Sequence, residues 1–207
     1  MPTLNASTLV GDICTPKGDN WLNDMIYEGL INAHQSYCHQ EQRGEEVVGS
    51  IDIVFTQDPA HLIIRDRAEG CDSDTMNRQF QRHNGQNNVC PFKNGMRDVL
   101  LYVSSYGFEA AIKSIKNNRI HRADFSYEQQ VITIKTLNTN LDAFRHIHNI
   151  KGKANGTVVA LGLPWPLPKR DIDGLKRELL SDARIKALSK NRNRTITLFL
   201  DGASEIL

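Results

Sequence analysis

The sequence predicts an α+β domain in which a mixed, mostly antiparallel sheet carries its helices on one face. Three observations predict it: an amphipathic helix comes first, a β-hairpin follows, and three more strand-like runs form a meander after a long polar segment. The chain has 207 residues, 40% of them apolar and 24% charged, which is ordinary for a globular protein. We expect residues 1–166 to form the main domain, and residues 167–207, a helix and a strand, to complete it or to begin a following region.

The first predicted helix begins near Trp21, where Asp19 or Asn20 provides an N-cap. A charged segment, QEQRGEE, ends the helical pattern. The apolar residues that recur at helical spacing between these two points are Leu22, Met25, Ile26, Leu30, Ala33 and Tyr37. This stripe predicts that one face of the helix packs on the sheet.

Two strand-like runs, VVGSIDIVF and HLIIRD, follow this helix and are joined by TQDPA. Asp-Pro is a turn signal, so the two runs predict a β-hairpin. The next residues, 67–94, are polar and irregular, with many Asn and Gln side chains. A segment of this length is typical of a functional loop or lid rather than of a plain connection.

A second apolar stripe, Met96, Val99, Leu100 and Val103, predicts a helix from Gly95 to Tyr106. The later predicted elements follow in a simple order. They are the strands AAIKSIK, RIHRADFSY and QVITIKTL, a short helix over residues 141–150, the strand GTVVALGLP, a helix over residues 171–190 and the strand RTITLFLD. Short turns between successive strands predict mostly antiparallel pairing.

Composition restricts the class of protein. The net charge of +1 points to no polyanion partner, although nine Lys and Arg against four Asp and Glu in residues 169–194 fit either a nucleic-acid patch or a solvated helix. Four cysteines without a C-x-x-C pair favour a reducing compartment, cytoplasmic or, in a eukaryote, nuclear. No apolar run is long enough to span a membrane, and the N-terminus has no signal-peptide pattern, so we expect no membrane association.

The first motif with chemical potential is the pair Glu28 and Asn32 on the first helix. The two residues are four apart, so their side chains lie along one stripe at the edge of the apolar face. A half-buried carboxylate can take a proton from an attacking water, and an amide oxygen one turn away is a suitable ligand for Mg²⁺. In isolation such a pair is common on the solvent-facing side of amphipathic helices.

The second motif, IIRDRAEGCD, places Asp66 at the end of an apolar strand and Gly70 in the loop that follows. A buried carboxylate at a strand end can accept a hydrogen bond from an exocyclic amine such as that of adenine. A nearby glycine allows the backbone to approach a flat ring. The alternative is an ordinary strand-to-turn aspartate.

Two further motifs are weaker when taken alone. Gly95 lies next to the start of a predicted helix, where free N–H groups favour phosphate, and Lys93 and Arg97 add positive charge. Gly156 and Thr157 open a later strand, where a threonine hydroxyl can hydrogen-bond a base directly or through water.

In this order and spacing the four motifs resemble the GHKL ATPase superfamily, which includes gyrase B, the heat-shock chaperone ATPase, MutL, MORC proteins and histidine kinases. E-G-L-I-N-A at 28–33 is similar to the superfamily's box E-x-x-x-N-A, and D-R-A-E-G-C at 66–71 to its box D-x-G-x-G-M. K-N-G-M-R-D at 93–98 is similar to its lid box, and G-T at 156–157 to its closing strand. The resemblance covers about residues 20–165 and implies a Bergerat-fold α/β sandwich with a long ATP lid.

The resemblance also implies roles for individual residues. Glu28 would be the general base that activates water, and Asn32 would ligate the Mg²⁺ that bridges the phosphates. Asp66 would read adenine, with Gly70 giving room beside the base and Thr157 supporting the same edge.

The lid box would hold the γ-phosphate through Gly95, with Lys93 and Arg97 adding charge. The implied cofactors are ATP and Mg²⁺, and the implied activity is slow ATP hydrolysis. ATP would order the lid and promote a homodimer, which hydrolysis would reset.

Departures from the superfamily pattern keep other classes open. Ala68 and Cys71 replace a usual glycine and methionine, and the lid box has the single glycine Gly95. These changes are typical of a degenerate domain that binds nucleotide, or nothing, and serves as an interaction module. A third hypothesis, a protein kinase, is disfavoured because histidine kinases typically carry Asn at the position of Glu28.

A metal site is a further alternative near the end of the first helix. His34 and Cys38 share one face at i and i+4, but the sequence supplies no clear further ligands.

Overall fold

The computed structural model describes residues 3–5, 21–80, 94–129, 131–150, 154–163 and 171–207 of the chain. Nine strands and six helices lie in this part of the chain. In order they are β1 (Thr3–Asn5), α1 (Trp21–Gln42), β2 (Gly49–Gln57), β3 (Ala60–Asp66), α2 (Ser73–Phe80), α3 (Asn94–Ser104), β4 (Ala110–Lys116), β5 (Arg119–Ser126), β6 (Val131–Leu137), α4 (Leu141–Ile147), β7 (Gly156–Gly162), α5 (Ile172–Ser181), α6 (Ala183–Ser189), β8 (Arg194–Leu200) and β9 (Ala203–Ile206).

The strands form one mixed sheet in the order β1-β6-β5-β4-β7-β3-β2-β8-β9. Only the pair β2–β8 is parallel among these neighbours, so the predicted mixed and mostly antiparallel sheet is confirmed. The predicted hairpin is also confirmed, because β2 and β3 pair from Ile51–Asp66 to Gln57–Ala60. β7 inserts between β3 and β4, which places its first residues beside the end of β3.

One face of the sheet and five of the helices enclose the main hydrophobic core. Alternate side chains of each strand point to this face, as the two-residue period of a strand requires. Ile51, Ile53 and Phe55 of β2 are buried there, and the predicted stripe of α1 packs against them. Met76 and Leu175 bring α2 and α5 into the same core.

The short helix α4 packs on the opposite face, so the expectation that the helices share one face is wrong for this element. Its Leu141 and Phe144 contact a smaller cluster that includes Ile115 and Val158. These two side chains belong to the second set of alternating positions on β4 and β7 and therefore point away from the main core. Apolar residues at these positions require cover, which α4 supplies.

The predicted irregular segment 67–94 contains a helix, α2, which corrects the expectation of a loop over its whole length. Asp72 Oδ1 accepts a hydrogen bond from the Thr75 N–H at 2.8 Å, a typical N-terminal cap. Met76 and Phe80 are four residues apart and both buried, and Phe80 makes an edge-to-face contact with Phe125 at 5.2 Å. Residues 81–93 of the predicted lid lie outside the described residues, as do both predicted caps of α1.

The C-terminal residues 171–207 add two strands to the same sheet. The predicted helix over 171–190 is divided into α5 and α6 at Asp182, whose carboxylate accepts from the Arg184 N–H at 2.8 Å and caps α6. Leu179 and Ile185 join the main core, while β9 pairs with β8 at the edge of the sheet. Within the described part of the chain, no helix has both the length and the apolar character that crossing a membrane requires.

Candidate functional site

A cavity of about 190 Å³ lies between α1, the sheet and α2. Its walls come from six parts of the chain: α1, the end of β3 with the loop after it, α2, β7, Met96 of α3 and Lys116 of β4. Ile64, Val159, Met96 and Ala33 supply apolar surface, and polar and charged side chains line much of the rest. A concave pocket in which apolar walls carry converging polar groups is the usual form of a small-molecule site.

Four of the predicted site residues meet in this cavity: Asn32, Asp66, Gly70 and Thr157 all line it. They come from α1, β3, the following loop and β7, and Asp66 and Thr157 are 91 residues apart in the chain. In the sequence these four residues belong to three separate motifs, and the order of the strands brings the motifs together.

The other predicted site residues that the structure describes lie outside the lining of this cavity. Glu28 is half-buried on α1, directly before Gly29, which does line the cavity. Gly95 lies in the first turn of α3, and Arg97 of the same helix is buried, next to the lining residue Met96. Lys93 lies outside the described residues.

Asp66 is a buried carboxylate held by the backbone. Its Oδ1 accepts hydrogen bonds from the Ala68 N–H at 2.9 Å and from the Thr157 N–H at 3.3 Å. Burial raises the pKa of Asp66 to about 6, while these two hydrogen bonds and the nearby charge of Arg67 act in the opposite direction. The group is therefore mostly ionised at neutral pH, so a negatively charged acceptor lines the cavity.

Asn32 is the second buried polar group in the cavity. Only 9% of its surface is exposed, and neither Oδ1 nor Nδ2 has a hydrogen-bond partner among the described residues. An unsatisfied buried amide costs about 1–3 kcal/mol, so folded proteins rarely keep one without a reason. A ligand that offers both a cation and an acceptor would satisfy the two atoms together.

A hydroxyl network connects the walls around Asp66. Ser114 Oγ of β4 donates to the Gly156 carbonyl at 3.0 Å and accepts from the Cys71 N–H at 2.8 Å. The same atom lies 3.2 Å from Oγ1 of Thr157. Sequence reasoning missed Ser114, although it is the polar residue at a core-facing position of the strand AAIKSIK.

Tyr37 of α1 fixes the backbone directly after Asp66. Its hydroxyl accepts from the N–H groups of Arg67 at 3.0 Å and Ser50 at 3.1 Å, and donates to the Ser50 carbonyl at 2.8 Å. Burial raises the pKa of Tyr37 to about 12, which keeps the donating proton in place. The end of β3 is therefore held to α1 by a side chain that does not itself line the cavity.

Gly70 is required by the packing of the loop against β4. It has φ +65°, and a Cβ on it would lie 2.0 Å from the Ile115 carbonyl oxygen. The missing side chain thus allows a backbone contact behind the cavity wall. The expectation that Gly70 leaves room beside a base stays a prediction.

The rim of the cavity carries charged side chains that the sequence analysis did not select. Lys116 Nζ lies 3.4 Å from the Gly70 carbonyl oxygen and 3.7 Å from Glu69 Oε2. Arg43 contacts the same Glu69 oxygen at 3.0 Å, and His39 lies 3.7 Å from the other. Glu69 lies within the motif D-R-A-E-G-C, but no motif marks Lys116, Arg43 or His39, which come from the end of β4, the residue after α1 and the last turn of α1.

Metal ligands are sparse in the described part of the chain, which contains no group of three or more His, Cys, Asp or Glu residues arranged to hold an ion. His34 Nε2 and Cys38 Sγ, the pair considered from the sequence, lie within hydrogen-bonding distance at 3.5 Å. Arg194 Nη2 approaches the same sulfur at 3.7 Å. This guanidinium gives the thiol a cationic neighbour, which is unfavourable for a bound cation.

No protein-family model matches this chain, and no curated protein matches it at a significant level. The interpretation of the site therefore depends on the residues that line the cavity and on their chemistry.

The basic stretch in residues 169–194 is ion-paired in part. Lys176 contacts Glu205 at 3.2 Å, and Arg184 Nη2 contacts both Asp24 and Asp182 at 2.6 Å. These pairs reduce the positive charge that this region offers to a polyanion.

Proposed function

We propose that this chain is an ATP-binding domain of the GHKL type with a Bergerat-type fold. In this proposal, Mg²⁺-dependent ATP hydrolysis drives lid closure and dimerisation. The observation that carries the proposal is a single cavity lined by the unpartnered amide of Asn32 from α1 and the buried carboxylate of Asp66 from β3. The two motifs that suggested nucleotide chemistry in the sequence converge on it.

Asp66 would read the adenine base. Both of its hydrogen bonds end on Oδ1, and within the described part of the chain Oδ2 receives none. Oδ2 would accept from the exocyclic amine of adenine, while Ile64, Val159 and Met96 would contact the faces of the ring. Thr157 would support the same edge of the base through its hydroxyl.

Asn32 would hold the polar end of the nucleotide. Its amide oxygen is a suitable ligand for Mg²⁺ and its amide nitrogen can donate to a phosphate oxygen, so a magnesium phosphate would satisfy both unpartnered atoms. When bound, Mg²⁺ neutralises phosphate charge, and it commonly keeps waters and phosphates as most of its ligands. Asn32 as the single protein ligand of Mg²⁺ is consistent with this coordination preference.

The remaining site residues would act on the γ-phosphate. Glu28 lies one turn of α1 before Asn32 and is half-buried, a position from which it would accept a proton from the attacking water. Gly95 and Arg97, with Lys93, would hold the γ-phosphate, as the resemblance implies.

Calorimetry with Mg-ATP and Mg-GTP tests the proposal. In Asp66→Asn, the two backbone N–H groups would hold the amide oxygen, so the NH₂ group would face the base. ATP affinity should fall about ten- to a hundredfold, because a charge-assisted hydrogen bond is replaced by two opposed donors. The ATP-over-GTP preference of the wild type should disappear, since the O6 of guanine accepts where adenine donates.

Asp74→Asn is the matched control, since it removes the same charge from an exposed position on α2. It should bind both nucleotides as the wild type does. Absence of any binding heat with wild-type protein, or equal affinity for ATP and GTP, would contradict the proposal.

The alternative, a degenerate module without turnover, was suggested by Ala68 and by the lid box with its single glycine. In the structure this alanine is buried, donates its N–H to Asp66 and does not line the cavity, so it leaves the cavity open. Binding of Mg-ATP without release of phosphate would favour the module, and transfer of labelled phosphate to a protein would favour a kinase.

A further inference from the structure

The cavity contains a second amide with a buried atom that has no partner among the described residues, on a wall to which the proposed function assigns no role. Gln79 of α2 lines the cavity together with Thr75, one turn earlier on the same helix. The Oε1 atom of Gln79 is buried and has no hydrogen-bond partner among the described residues. Like Asn32, it is a polar atom whose partner would come from a bound molecule.

The helix that carries Gln79 is firmly held. Its first turn is capped by Asp72, and Met76 and Phe80, the residues on either side of Gln79 along the buried stripe, are almost fully buried. The backbone at Gln79 is therefore ordered before any ligand binds, which lowers the entropy cost of using its side chain for recognition.

The chemistry of Oε1 restricts the group that it would contact. An amide oxygen only accepts hydrogen bonds, so its partner must be a donor. In ATP the donors are the exocyclic amine and the two ribose hydroxyls, since ionised phosphate oxygens only accept. If Asp66 takes the amine, the ribose hydroxyls remain.

We infer that Gln79 accepts a hydrogen bond from a ribose hydroxyl and makes this site selective for ribonucleotides. This inference rests on the proposed function. The amide of Asn32 and the amide of Gln79 then hold different parts of one ligand: the phosphate end and the sugar.

The experiment compares the dissociation constants of ATP and 2′,3′-dideoxy-ATP, which lacks both hydroxyls. The wild type should bind ATP about three- to tenfold more tightly, the usual effect of one neutral hydrogen bond. Gln79→Leu should bind the two nucleotides equally, because only the affinity for ATP falls. Gln79→Glu keeps an acceptor and should keep the preference, even though its charge weakens the binding of both.

Gln40→Leu is the matched control. Gln40 also has a buried Oε1 that lacks a partner among the residues the structure describes, but it lies on α1 outside the lining of the cavity. This variant should keep the wild-type ratio of the two dissociation constants. Circular dichroism establishes that each variant is folded. If Gln79→Leu does not fold, Gln79→Ala, which also removes the acceptor, should likewise bind the two nucleotides equally and carries the test.

The outcomes separate this inference from the proposed function. Failure of wild-type protein to bind ATP would overturn both. ATP binding with no preference over the dideoxy analogue, or a preference that survives in Gln79→Leu, would overturn the role of Gln79 and leave the ATP site standing. If Gln79→Leu lost affinity for ATP and for the dideoxy analogue to the same extent, the side chain would contact metal-bound water. That result would also overturn the role of Gln79 in binding the ribose.

Discussion

At the scale of single residues, the site depends on polar groups that are costly to bury. Burial raises the pKa of Asp66 to about 6, and two side-chain atoms of Asn32 have no partner in the part of the chain that the structure describes. Both features reduce the stability of the folded chain, and a protein usually keeps such groups for a function. Asn32, Asp66, Gly70 and Thr157 were predicted from the sequence because they stand in recognisable motifs. Gln79 was missed because its helix was not predicted.

The buried charge of Asp66 predicts an unusual pH dependence of stability. Its pKa is about 6 in the folded protein against an ordinary value of 3.8, so folding favours the protonated form. The stabilising contribution of the protonated form is complete below about pH 4 and is lost as the pH rises through about 6. Asp66→Asn should therefore raise the free energy of unfolding by up to about 3 kcal/mol at pH 8.

Thermal unfolding between pH 4 and pH 8 measures this effect. The difference between Asp66→Asn and wild type should vanish near pH 4, where the wild-type carboxyl group is protonated. Asp74→Asn, at an exposed position, should show no such trend. If Asp66→Asn were less stable than wild type at pH 8, the hydrogen bonds to Asp66 would fully compensate the cost of burying its charge, and the prediction would be wrong.

At the scale of secondary-structure elements, the central strands β3 and β7 approach each other closely where the cavity begins. A Cβ on Gly156 would lie 2.4 Å from the backbone carbonyl oxygen of Asp66. Most elements were predicted from their periodicity, but β1, α2 and β9 were not. α2 was hidden because its buried residues, Met76 and Phe80, are few and stand among polar neighbours.

Gly156→Ala should destabilise the protein by about 1–3 kcal/mol, since backbone atoms must move to accept the new methyl group. The movement should also separate the Thr157 N–H from Asp66 and weaken ATP binding. Urea unfolding monitored by circular dichroism measures the first effect. Gly162→Ala, on the same strand, is the comparison. A Cβ at this position would lie 3.2 Å from its nearest neighbour, a side-chain atom of Phe108, so this variant should lose less stability. Equal stability of the two variants would contradict the close approach of β3 and β7.

At the scale of the whole molecule, the proposed function is a switch in which ATP closes the lid and joins two copies of the chain. Glu28 belongs to this scale, because its proposed role is to end the ATP-bound state. It lies beside the cavity, not in its lining, so the proposed lid closure would set its distance from a bound phosphate.

Glu28→Ala should bind ATP with an affinity within about twofold of the wild type. If Glu28 is the general base, the rate of phosphate release should fall at least about a hundredfold. The ATP-bound dimer should then accumulate, which analytical ultracentrifugation with and without Mg-ATP would detect. Glu46→Ala, an exposed glutamate, is the control and should turn over ATP normally. Unchanged phosphate release in Glu28→Ala would exclude it as the base.

The sequence by itself determined the local structure: the stripe of α1, the hairpin of β2 and β3, the later strands, and the two motifs that contain Asn32 and Asp66. Periodicity and turn signals are local, so they can be seen without knowing which elements are neighbours. Only the tertiary structure decided that β7 lies between β3 and β4, that α4 covers the opposite face, and that α2 forms a wall of the cavity. Those outcomes depend on pairing and burial between distant segments, as the 91 residues between Asp66 and Thr157 illustrate. No local pattern records such pairing.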